Sequence, residues 1–137
     1  MKHRTPPKPP HYDTAPEGTC RWCNLEVGLT KTGRVSKSRW HAACFEEYAV
    51  LFFPSTTRQA VWKRDKGLCV KCGHQCDRKG INGWDMDHIT PLIEAQGDLQ
   101  YWRLDNLQTL CKRCHTAKTS AEATERARIR KLTKEKK

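Results

Sequence analysis

Four short cysteine and histidine pairs are the residues in this chain whose spacing first suggests chemistry. Cys69-x2-Cys72 and Cys111-x2-Cys114, with 38 residues between the pairs, supply four thiolates. Cys20-x2-Cys23 and His41-x2-Cys44, with 17 residues between, supply three thiolates and an imidazole. Zinc favours four tetrahedral sulfur or nitrogen ligands, and a C-x2-C knuckle sets two thiolates on one face of a tight turn. Each quartet is read as a structural Zn2+ site with no open coordination position. His74 and Cys76 follow Cys72 closely, and either can replace a neighbouring ligand; a free thiol is the plainer reading of Cys76. Between the halves of the four-cysteine set lie Met86-Asp87-His88-Ile89-Thr90-Pro91-Leu92 and Asp105-Asn106-Leu107-Gln108-Thr109-Leu110, and Cys114 runs on into His115-Thr116-Ala117-Lys118.

These groups need a scaffold, and the apolar content that could build one is small. The chain has 137 residues, enough for one domain or two very small ones, and is 36% hydrophobic. A core that poor calls for disulfides or metal. No apolar run marks a signal peptide in residues 1–16, and no later stretch approaches membrane-spanning length. An intracellular, non-secreted protein is expected, and reducing conditions favour thiolate–metal bonds over disulfides. Lys and Arg total 26 against 15 acidic residues, a formal charge of +11. That balance favours a polyanionic partner. A membrane partner is not expected, because the basic C-terminal segment lacks the apolar face such binding requires. Nothing in the sequence points to a particular protein partner.

The elements that must position the ligands follow from pattern. Residues 1–16 hold five of the seven prolines and three Lys or Arg, and read as a disordered, mobile arm. Residues 17–54 form an N-terminal zinc module. It closes on a helix in which Phe45, Tyr48, Ala49, Phe52 and Phe53 fall in one stripe, ended by Pro54. Ser55, Thr56 or Thr57 can cap the next helix, and Gly67 lies just past its end. Gly83–Ile89 and Leu107–Leu110 read as short strands, and a helix runs from Cys114, fraying among Lys134, Lys136 and Lys137. Trp62, Trp84 and Trp102 are expected to pack in the core.

The segments Asp87-His88-Ile89-x-Pro91-Leu92, Asn106-Leu107-Gln108-x-Leu110-Cys111 and Cys114-His115-x-x-Lys118 resemble the HNH endonucleases. His88, Asn106 and His115 match the three letters of that motif. The likeness covers roughly residues 56–120 and extends to stand-alone phage and bacterial HNH enzymes and to the HNH domain of an animal annealing helicase. It implies an α+β fold: a small, zinc-stabilised, treble-clef-like ββα-metal nuclease core over residues 55–120, with a basic helix or tail over 121–137. It also implies a metal-dependent endonuclease that hydrolyses phosphodiester bonds in duplex or branched DNA, leaving 5′-phosphate and 3′-hydroxyl ends.

The residue chemistry agrees with that expectation. Imidazole titrates near neutral pH, so His88 can serve as general base. Asp87 and His115 offer an oxygen and a nitrogen to one catalytic divalent ion, Mg2+, Mn2+ or another transition ion, leaving positions for water and phosphate. In the family pattern Asn106 holds the loop that orients His88. Adjacent residues of a regular strand face opposite ways, so Asp87 and His88 must lie at a strand end. Asp85, on the same face as Asp87, is the rival carboxylate ligand. Lys118, Arg126, Arg128, Arg130 and Lys131 are the expected DNA contacts. The alternative is a non-catalytic zinc module that binds nucleic acid, and a nuclease toxin is a variant of the enzyme reading. Charge sets one expectation. DNA affinity should fall steeply with salt, with a log–log slope of about −0.9 per phosphate contact. Truncation after Ala121 should flatten that slope, as filter binding across a salt series will show.

Overall fold

In a computed structural model, residues 5–136 are described; the arm's first four residues and Lys137 lie outside them. The elements are α1 (Ala42–Phe52), α2 (Pro54–Asp65), β1 (Trp84–His88), β2 (Leu107–Cys111) and α3 (Lys112–Glu135), with three short 3₁₀ turns between the strands. This is the mixed helix and strand class expected. The chain divides into two compact units. One takes the residues through Ala60 together with Thr90–Asn106, and the other takes Val61–Ile89 together with the chain from Leu107 onward. The expected boundaries run consecutively along the chain; the 90–106 segment instead belongs with the first unit.

The first unit is built on aromatic rings. Trp40 and Phe52 each lie 4.6 Å from Tyr48, centroid to centroid, and Phe45 meets Phe53 at 6.1 Å. The stripe read for α1 therefore packs as a ring cluster. Tyr12 stacks on Tyr48 at 5.9 Å, and the Arg21 guanidinium lies 4.8 Å over the Tyr12 ring. Ala15 is buried, and its carbonyl accepts a bond from Arg39 at 2.6 Å. The reading of 1–16 as a mobile arm is thus corrected around residues 12–15, where ring stacking outweighs proline content. Pro54 ends α1 and also opens α2, where a missing N–H costs nothing. Thr57 lies inside α2, and its hydroxyl donates to the carbonyls of Val50 and Phe53.

The second unit is a two-stranded antiparallel ladder with α3 following directly. Trp84 pairs with Cys111, Met86 with Thr109 and His88 with Leu107. The strands fall within a residue or two of the expected spans. Leu107, Leu110, Thr109 and Val61 are fully buried, and Trp84 packs against Trp62 at 5.2 Å. The outer edge of β2 is closed by three bonds. Arg64 donates to the Leu107 carbonyl at 2.6 Å, the Thr109 N–H donates to Asp65 at 2.9 Å, and the Val70 N–H donates to the Thr109 carbonyl at 2.9 Å. An open strand edge is thereby covered. Gly67 turns the chain from α2 into the first knuckle at φ +68°, and a side chain there would stand 2.6 Å from the Trp62 ring. Helix α3 has 24 residues, about 36 Å at 1.5 Å per residue, so the helix from Cys114 and the tail from residue 121 through Glu135 are one element.

Asp65 is the acid in this edge closure. Burial opposes its charge, but bonds from Arg64 and the Thr109 amide hold its carboxyl below the usual range. Such a group stabilises the fold above its unfolded value of about 3.9, and that contribution is lost as pH falls through the folded value. Asp65→Asn is expected to cost about 1–3 kcal/mol at neutral pH. The gap to the parent should close under acid, as denaturant melts of metal-loaded protein at several pH values will show.

Candidate active site and metal centres

Both ligand quartets are assembled. In each set, Cys20, Cys23, His41, Cys44 and Cys69, Cys72, Cys111, Cys114, the donor atoms lie within 4.8 Å of one another. A tetrahedral ion with Zn–S bonds of ~2.3 Å separates its sulfurs by about 3.8 Å. The Sγ atoms of Cys72 and Cys111 are 3.8 Å apart, and His41 Nδ1 lies 3.4 Å from Cys23 Sγ and 3.8 Å from Cys44 Sγ. His41 Nε2–H donates to the Glu26 carbonyl at 2.8 Å, which leaves Nδ1 free for a metal. This explains why His41, at the N-cap of α1, makes no side-chain cap. The donor sets fit four-coordinate zinc.

Without a cation these thiols cannot all ionise. Burial raises Cys69, yet backbone N–H groups of the Cys111 and Cys72 turns overcome it and bring the thiol to about 6. Cys114, bonded to Cys111, is pushed up to about 12. Cys20, about 6, and Cys44, about 12, repeat the contrast. Cys76 is buried beside the four-cysteine set but outside it, and its thiol, bonded weakly to the His74 carbonyl at 3.7 Å, is pushed up mainly by burial. His74 is exposed and also outside the set.

The second unit brings Asp85, Asp87, His115 and Lys118 together. Asp85 and Asp87 alternate onto one face of β1, and His115 and Lys118 lie three residues apart on α3. His115 Nδ1 bonds Asp85 Oδ2 at 2.8 Å, while Nε2 stands 3.7 Å from Asp87 Oδ1. The second distance is too long for a hydrogen bond. It lies within the span of two donors placed ~2.1 Å from a shared ion. Asp85, read as a rival ligand, instead meets the far nitrogen of His115 and is held at 2.5 Å by Lys112. Lys112, followed by His115, holds the Asp85 carboxyl low against its burial.

Asp87 is buried, and its Oδ2 accepts from Gln108 Nε2 at 2.8 Å. Sequence reasoning assigns Gln108 no role; the strand pairing, which sets Gln108 opposite Asp87, is the signal that finds it. Lys118 is an expected DNA contact, but its side chain is turned inward. Its ammonium sits 3.2 and 3.4 Å from the two Asp87 oxygens, 2.9 Å from the His88 carbonyl, and pairs with Glu122. Arg126 stands 4.0 Å from Glu122 and Arg128 pairs with Glu125, whereas Arg130 and Lys131 are exposed.

His88 is the last residue of β1, as the opposed faces of adjacent side chains require. Burial pushes its imidazole below the ordinary value; Asp87 opposes that shift and Lys118 adds to it. In the first unit, Asn106 clamps the segment that follows. Its Oδ1 accepts the Thr90 N–H at 2.8 Å, and its Nδ2 donates to the carbonyls of Thr90 at 3.0 Å and Tyr101 at 2.8 Å.

Two strands and a helix thus bring two carboxylates, an imidazole and an ammonium together. Residues 69–121 match the family model of the HNH endonucleases. It is 42% identical over 67 residues to a probable HNH endonuclease of Lactococcus phage SK1, covering 46% of this chain and 65% of the phage protein. It is 47% identical over 49 residues to the DNA annealing helicase and endonuclease ZRANB3 of Mus musculus, covering 36% of this chain and 4% of that protein. The human ZRANB3 is 44% identical over 48 residues. The chain thus spans just under two thirds of the phage relative and a small fraction of the helicases. No solved structure matches it. Among the described residues, no helix is long and apolar enough to cross a membrane.

Protein purified without added metal is expected to carry about two equivalents of tightly bound metal, one per quartet. His41→Ala should lose one equivalent and keep the β1–β2–α3 unit. Cys111→Ser should lose the other together with that unit. Elemental analysis with circular dichroism checks both.

Proposed function

We propose that this protein is a metal-dependent endonuclease that hydrolyses phosphodiester bonds in duplex or branched DNA, working inside a cell where its thiolates stay reduced. The observation that supports it most is the pairing of Asp87 with His115 at 3.7 Å while Asp85 occupies the other His115 nitrogen, within a region that matches a nuclease family. Zinc in the two quartets is assigned a structural role, because neither leaves a position for substrate.

Asp87 Oδ1 and His115 Nε2 would hold one divalent ion, Mg2+ or Mn2+. Once bound, the ion supplies a positive charge against the scissile phosphate and the departing oxygen. The chain's own groups do the rest. Asp85 fixes His115 so that Nε2 is the free nitrogen, and Gln108 orients Asp87. His88 takes a proton from the attacking water on its ring, and its lowered pKa keeps that ring neutral at physiological pH. Asn106, by clamping Thr90, holds the chain two residues beyond His88. Arg126, Arg128, Arg130 and Lys131 follow phosphates, while Lys118 serves the site by balancing Asp87.

His88→Ala is expected to cut DNA ~10²–10⁴-fold more slowly with both structural metals retained. Wild-type rate should rise with pH through a midpoint below the ordinary ~6.5, since burial lowers the base. Asp87→Ala and His115→Ala should lose metal affinity, and Asp85→Ala about 10–100-fold of it. Excess Mn2+ should restore cutting to those three and not to His88→Ala. Plasmid nicking across pH and metal concentration reads all of this. Rescue of His88→Ala alone would reverse base and ligand, and unchanged cutting by every variant would place the site elsewhere.

A further inference from the structure

The loop that leads into β1 carries a feature the hydrolytic chemistry does not use. Gly80–Gly83 forms a tight turn in which the Gly83 N–H donates to the Gly80 carbonyl at 3.0 Å. The Asp77 N–H donates to the Asn82 carbonyl at 2.9 Å and closes the loop at its base. A side chain at Gly83 would stand 2.7 Å from the Gly80 carbonyl oxygen, so the turn depends on glycine there. At its corner Ile81 is 93% exposed, more than any other large apolar side chain among the described residues.

The cleft beside this tip is lined by cations, and the loop's own acid, Asp77, stands at its base. Ile81 and Asn82 border a cleft of about 310 Å³ that His74, Lys112 and Arg113 also line, with no carboxylate among the lining residues. Lys112 is engaged by Asp85 and Arg78 lies 5.5 Å over the Trp62 ring, whereas Lys79 and Arg113 are exposed. An apolar point flanked by cations suits duplex DNA. Phosphates satisfy the charges, and an isoleucine between base steps opens the stack.

We infer that Ile81 is a wedge that inserts at a base step of bound duplex DNA, with Lys79 and Arg113 on the flanking phosphates. This deepens the endonuclease reading and rests on it for the choice of DNA as partner.

The test uses full-length, zinc-loaded His88→Ala protein and duplexes with 2-aminopurine at successive positions. Binding should raise fluorescence, and Ile81→Ala should abolish the rise and weaken binding about tenfold with the salt slope unchanged. Arg113→Ala should keep the rise and reduce the slope by about one contact. Gly83→Ala should lose the rise while retaining Ile81, with metal content confirming that it folds. If Ile81→Ala keeps the rise, or no position shows one, the wedge is overturned. Cleavage by the His88-containing protein is read in parallel: cutting without a rise sinks the wedge alone, and a rise without cutting sinks the nuclease reading alone.

Discussion

Cys111 is the residue on which the second unit turns. It is the last residue of β2, it caps α3 by accepting the Cys114 N–H on its Sγ at 3.5 Å, and it belongs to the four-cysteine set. A metal gripping Cys111 and Cys114 would hold the strand-to-helix corner at a set angle, and Cys69 and Cys72 tie that corner to the first knuckle. A chain with 36% hydrophobic residues has little apolar area with which to hold such a corner. Metal–thiolate bonds would take that place. His115 is covalently next to Cys114, so the structural cluster also sets where the imidazole points.

From that corner the electrostatics of the site follow. The strand brings Asp85 and Asp87 to one face, and the first turns of α3 answer with Lys112, His115 and Lys118. The two carboxylates are thereby given different tasks. Asp85 is engaged by Lys112 and His115. Asp87 keeps one oxygen facing His115 Nε2 while Gln108 and Lys118 stabilise its buried charge. Two carboxylates two residues apart on one face repel each other, and the flanking cations reduce that cost.

Much of this is legible in the order of residues alone. Both quartets, the two strands and the stripe of α1 can be read from spacing, because each is set by local geometry: the reach of a C-x2-C turn, the alternation of a strand, the 3.6-residue period of a helix; the HNH pattern is legible as a resemblance. The span Gly83–Ile89 exceeds β1 by one residue at each end, within the ordinary spread of element boundaries. Tyr12 falls in the stretch whose composition suggests a mobile arm, because proline content says nothing of an aromatic cluster about 30 residues away in the chain, whose rings hold Tyr12 in place.

The sequence by itself determined which residue types stand ready for metal, proton transfer and phosphate, and on which kind of element each lies. Only the tertiary structure decided how they are shared out. Asp85 rather than Asp87 bonds His115 Nδ1, Lys118 turns inward to Asp87 and away from solvent, and Gln108 stands opposite the buried carboxylate. The physical reason is that a side chain's face follows from its own element's period, but its partner depends on the register between β1 and β2 and on where the first turn of α3 falls against them. Those placements are set by contacts between residues distant in the chain, and no local pattern encodes them.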